Sequence, residues 1–175
     1  MFRDKYLGDD ESKRQLANKA MDDLNIGLID YEDFLSQLAK VSGLQGSKVE
    51  AVLEENKPNE ALFEYISANL KPKYKIGILS NAGDDWISKM FKPEYVKLFD
   101  SIVLSFRAKV IKPDPEAYKL AANELKVEPT DCIFIDDREK YCEGARAVGM
   151  KAILYDNFPQ IKKDLEEVLA AVSDN

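Results

Sequence analysis

The chain has 175 residues, 45% hydrophobic and 33% charged, enough for one globular domain or a core domain with a small appendage. A formal net charge of -7 argues against nucleic acid or an anionic membrane as partner, and no apolar run approaches the roughly 18 to 20 residues that cross a bilayer. Histidine is absent, which removes Ser-His-Asp triads, Cys-His dyads and imidazole bases together.

The amino terminus, Met1-Phe2-Arg3-Asp4-Lys5, carries no apolar signal-peptide core, so the expected location is cytoplasmic. Residues 1–57 read as helices. Leu16, Ala20 and Leu24, then Tyr31, Phe34, Leu35 and Leu38, recur at the spacing of an apolar helix face, and Asn25-Ile26-Gly27 breaks the first helix. Ser47 starts another, with Val49, Val52 and Leu53 inward. Pro58 opens a further one carrying Leu62, Phe63, Ile66 and Leu70.

From residue 74 the pattern changes. Lys75 to Ser80, Ser101 to Leu104, Cys132 to Asp136 and Ala152 to Tyr155 are short apolar runs. They alternate with helices near Asp84–Met90, Pro115–Leu125, Glu139–Val148 and Pro159–Val172. This predicts an α/β fold, a doubly wound parallel sheet covered on both faces. Ligands of such sheets bind beyond the carboxyl ends of the strands, where Ser80-Asn81, Ser105 and Asp136-Asp137 stand. Cys132 and Cys142 lack metal or dithiol spacing and read as small core hydrophobes.

Four pieces carry chemistry. Ile78-Leu79-Ser80-Asn81-Ala82-Gly83 ends a strand in a hydroxyl and an amide before a helix whose N–H groups can hold an anion. Lys112-Pro113-Asp114-Pro115 sets a lysine before a rigid helix start. Asp136-Asp137 ends a buried strand in two carboxylates that repel each other, so a divalent cation is their simplest compensation. Gly144 and Gly149 flank the helix that follows. Each piece alone has a plain structural role as cap, loop or dipole partner; the ordered combination points to phosphoryl transfer.

In that order the pieces resemble the second, third and fourth motifs of the haloacid dehalogenase (HAD) superfamily. Gly27-Leu28-Ile29-Asp30-Tyr31-Glu32-Asp33-Phe34 resembles a turn in the helical cap of one branch. The resemblance implies a helical cap over residues 1–57 and a HAD-like core over 58–175. It also implies that Ser80 and Asn81 bind the phosphoryl group and that Lys112 neutralises charge. Asp137, with Asp136 beside it, would bind Mg²⁺. The implied substrate is a small phosphorylated metabolite.

The family's first motif, an apolar strand ending Asp-x-Asp and supplying nucleophile and acid/base, is missing: no two aspartates are separated by one residue. A lost central strand would forfeit about five side chains at roughly 1.5–3 kcal/mol each, comparable to the 5–15 kcal/mol stability of a domain. The expectation is therefore a truncated chain whose Met1 is an internal start, or a gap filled by another segment or a second copy, as in a homodimer. Tyr141, where this branch usually has Asn, and Phe106-Arg107-Ala108-Lys109, where glycine is common, also depart from the pattern. The main alternative is a catalytically inactive HAD-derived binding or regulatory protein. A receiver domain fails because the acidic pair comes last here. An EF-hand over Asp22–Asp33 fails because Leu24 and Ile26 cannot ligate calcium.

Overall fold

A computed structural model describes residues 6–46, 48 and 58–173. Its helices are α1 (Glu11–Asn25), α2 (Tyr31–Ser42), α3 (Glu60–Tyr65), α4 (Trp86–Met90), α5 (Pro93–Val96), α6 (Ser105–Ala108), α7 (Pro115–Leu125), α8 (Glu139–Ala147) and α9 (Phe158–Ser173). The strands are β1 (Gly77–Ser80), β2 (Ser101–Leu104), β3 (Ile133–Asp136) and β4 (Lys151–Leu154). The chain divides into two units. One takes the segment ending at Pro58 with Ser80–Val96 and Leu104–Ile111; the other takes Asn59–Leu79, Lys97–Val103 and the segment from Lys112.

In the first unit Asp10 caps α1 by accepting from the Lys13 amide at 3.1 Å. Asp30 caps α2 in the same way, accepting from Asp33 at 2.8 Å. Each satisfies an amide that a helix start leaves open. Gly27 turns the chain between them at φ +68°, a left-handed conformation that costs other residues more. Leu7, Ala17, Ala20, Leu24, Phe34 and Leu38 form the core here. Leu16, expected inward, is instead 55% exposed, and Ala17 takes its place in the buried stripe. Both stripes satisfy helical spacing, but the small Ala17 and Ala20 let α2 pack closely and turn Leu16 outward. The helix expected from Ser47, with Val49, Val52 and Leu53, falls outside the described residues.

Ser105 also belongs to this unit and is buried. Its hydroxyl donates to the Asn25 carbonyl at 2.5 Å and accepts from the Ala82 amide at 2.9 Å. Expected at a ligand-binding strand end, it is spent on backbone.

In the second unit Asn59, rather than Pro58, caps α3, accepting from the Leu62 amide at 3.2 Å. A π-helical turn, Ile66–Leu70, follows. β3 and β4 pair in parallel, with Ile133 opposite Lys151 and Asp136 opposite Leu154. Alternate side chains enter different cores. Phe134 and Ala152 join Tyr118, Ala122, Ala145 and Met150, whereas Ile133 and Ile153 join Ile161 and Leu165. Helices α7 and α8 thus cover one face of the pair and α9 the other, so these strands are apolar almost throughout. Ile135 departs from this, at 39% exposed.

β1 and β2 form a second two-stranded sheet, and among the described residues no ladder joins it to β3–β4. Asp100 pins the start of this pair. Its carboxylate accepts from the Ile76 amide at 2.8 Å and meets the Lys71 ammonium at 2.6 Å, while its own amide donates to the Ile76 carbonyl at 2.7 Å. No described helix is long and apolar enough to cross a membrane.

Candidate active site

Two elements of the second unit bring acid and base together. Asp114 accepts from the Glu116 amide at 2.9 Å and Pro115 fills the first turn of α7, which fixes where the preceding loop carries Lys112. β3 carries Asp136 two residues beyond Phe134, on the same face. There the Lys112 ammonium meets Asp136 Oδ2 at 2.6 Å, with the two side chains only 8% and 9% exposed. The other carboxylate oxygen of Asp136 accepts from the Arg138 amide at 3.0 Å.

The ammonium is enclosed by rings as well. It lies 5.3 Å from the Phe134 centroid and 4.9 Å from that of Tyr141. Tyr141 is held by Tyr118, whose hydroxyl donates to its backbone carbonyl at 2.8 Å. Burial, and then the Asp136 charge, push the Tyr118 phenol far above its ordinary range, so it stays a neutral donor. α8 reaches this position only because residue 144 is glycine. A Cβ there would stand 2.6 Å from the Tyr118 hydroxyl and 3.0 Å from Pro113 Cβ. Cys142, on the same helix, is buried, and burial raises its thiol pKa; Cys132 and Cys142 are both free thiols.

The acidic pair is therefore divided. Asp136 turns inward to Lys112. Asp137 is exposed, and no partner contacts its carboxylate among the described residues. No group of three His, Cys, Asp or Glu side chains gathers as a metal site among the described residues. Magnesium needs fewer protein ligands than that, since it keeps several waters and takes one or two carboxylates with substrate phosphate. Asp137, with Asp136 at its shoulder, fits such a donor set.

Ser80 and Asn81 belong to the first unit. Ser80 ends β1, and its hydroxyl accepts from the Trp86 indole N–H at 3.3 Å. Trp86 packs edge-on against Phe91, with centroids 5.2 Å apart, at the start of α4. Asp85 caps that helix. The Ser88 amide, then the Arg107 guanidinium at 2.8 Å, lower its carboxyl pKa. Asn81 is half-buried. The structure thus joins Lys112 to Asp136, with Asp137 next in the chain, and gives Ser80 an indole partner that sequence reasoning missed. Phe134 and Tyr141 were missed as ammonium neighbours too. The two-residue alternation along β3 contained the signal for Phe134.

A family model for haloacid dehalogenase-like hydrolases matches residues 9–155. Flavin mononucleotide hydrolase 1 of Arabidopsis thaliana, a chloroplast protein, is 44% identical over 62 residues, covering 35% of this chain and 25% of that protein. Phosphatase MT3486 of Mycobacterium tuberculosis is 33% identical over 101 residues, 56% of this chain and 46% of the relative. The chain thus spans less than half the length of these two relatives. A crystal structure of a HAD family enzyme from Bacteroides thetaiotaomicron, in complex with magnesium and inorganic phosphate, matches with a TM-score of 0.66 at 25% identity. That match covers 89% of this chain and 83% of the other. With most of its length inside the family match, and the three motifs in family order, this chain belongs to the haloacid dehalogenase-like hydrolases.

Proposed function

We infer that the protein is a magnesium-dependent phosphatase of a small phosphorylated metabolite, acting once an Asp-x-Asp strand completes its sheet. One observation carries the reading: a buried lysine neutralised by Asp136, and beside it the Asp137 carboxylate, which no partner contacts among the described residues. Lys112 would hold positive charge near a transferring phosphoryl group. Magnesium, held by Asp137 and Asp136, would supply charge neutralisation on the phosphate. Positioning and electrostatics of this kind are each worth about 2–4 kcal/mol of barrier.

Among the described residues no ladder joins the β1–β2 pair to β3–β4, and Ile135 on β3 is exposed, which supports a further strand beside β3. The names of the two relatives, a hydrolase and a phosphatase, favour catalysis over a purely binding or regulatory protein. The acidic composition supports a protein with neither nucleic acid nor an anionic membrane as its main partner.

Turnover of p-nitrophenyl phosphate with magnesium tests the reading, on the chain alone and on the chain with an added Asp-x-Asp strand segment. Asp137→Ala should abolish magnesium-dependent turnover. Turnover that survives the change refutes the site, and absence of turnover under both conditions favours the binding protein.

A further inference from the structure

Tyr141 occupies the first turn of α8, and two cations lie over its ring. The Lys112 ammonium is 4.9 Å from the centroid and the Arg138 guanidinium 4.6 Å. Arg138 Nη1 also donates to the Tyr141 hydroxyl at 2.9 Å, and Tyr118 holds the Tyr141 backbone from the core side. The ring is therefore fixed at both its backbone and its tip. Lysine is a point charge on a flexible four-carbon stem, so one ion pair with Asp136 does not define where its ammonium sits. Two aromatic faces, Tyr141 and Phe134, close off the remaining freedom and attract the charge electrostatically.

We propose that Tyr141 is a positioning residue, whose ring, clasped by Arg138 and Tyr118, holds the Lys112 ammonium in register with Asp136 for phosphate binding. The proposal rests on the reading of Lys112, Asp136 and Asp137 as a phosphate and magnesium site. It assigns a role to the residue that departs from the family pattern at this position, where a small polar side chain would leave that side of the ammonium open.

Two measurements on the 175-residue chain test it: binding of inorganic phosphate in the presence of magnesium, by calorimetry, and the proton shifts of the Lys112 ε-methylene, by NMR. Ring currents from two aromatic faces should move that methylene upfield. Tyr141→Leu keeps apolar bulk but removes the π face. It should weaken phosphate binding about fivefold and return the methylene toward its ordinary position. Tyr141→Phe keeps the face, loses only the hydroxyl bond to Arg138, and should preserve both signals. Wild-type phosphate affinity retained by Tyr141→Leu, or an unmoved methylene, overturns the proposal. The site reading itself fails separately, if Lys112→Met and Asp137→Asn leave phosphate binding unchanged or the wild-type chain binds none. The methylene shift then still decides whether the ring holds the lysine.

Discussion

Replacing Asp136 by alanine strands the Lys112 ammonium in a site where its side chain is 8% exposed. At 2.6 Å and an effective dielectric constant of about 20, the attraction being removed is about 6 kcal/mol. Much of it offsets the cost of taking both ions out of water, so the net loss falls to about 3–5 kcal/mol, the range for breaking a buried pair from one side. For a chain of this size that corresponds to a fall in Tm of about 6–20 °C. Replacing both partners, with Lys112→Met added to Asp136→Ala, removes the orphaned charge and should recover most of the loss. Urea unfolding of the four forms, followed by circular dichroism, closes the cycle. A loss below about 1 kcal/mol for Asp136→Ala, with no rescue by the second change, would mean that water reaches the ammonium. The enclosed pair on which the functional reading stands would then be wrong.

Two further outcomes follow from packing and from titration. Gly144→Ala pushes a methyl group onto the Tyr118 hydroxyl and Pro113, and should cost about 1–3 kcal/mol in the same urea assay; no loss would mean that α8 does not hold its distance from the Lys112 loop. The Lys71 ammonium, and after it the Ile76 amide, depress the Asp100 carboxyl pKa in the folded chain. Its contribution is therefore complete above the ordinary carboxylate range and lost as pH falls through the depressed value. Urea midpoints of wild type and Asp100→Asn, well apart at neutral pH, should converge on acidification. Curves that stay parallel refute the assignment.

Local chemistry explains what could be read from the sequence. α7 spans Pro115–Leu125 as expected, because a capping aspartate and a proline mark its start unambiguously. The four strands lie within a residue or two of the apolar runs, since short apolar runs bounded by polar and turn residues leave little ambiguity. Leu16 shows the limit. Two stripes one residue apart obey the same period, and only the partner helix selects between them. Ser105 shows another. A hydroxyl at a strand end looks like a ligand group until its distant backbone partners, Asn25 and Ala82, are known. In the candidate site, residue types were legible from motif order, and pairings were not. That Lys112 chooses Asp136, that two rings wall it, and that Trp86 donates to Ser80 depend on loop paths which no spacing encodes.

The bond from Ser105 to the Asn25 carbonyl joins positions 80 residues apart. A ribosome adding about 5–20 residues per second needs about 4–16 s to supply the second partner once the first has been made. Until then the end of α1 lacks its fastener, although the apolar side chains of the hairpin already pack on one another. Synthesis order therefore lets the hairpin core form first and be fastened at the end of α1 afterwards.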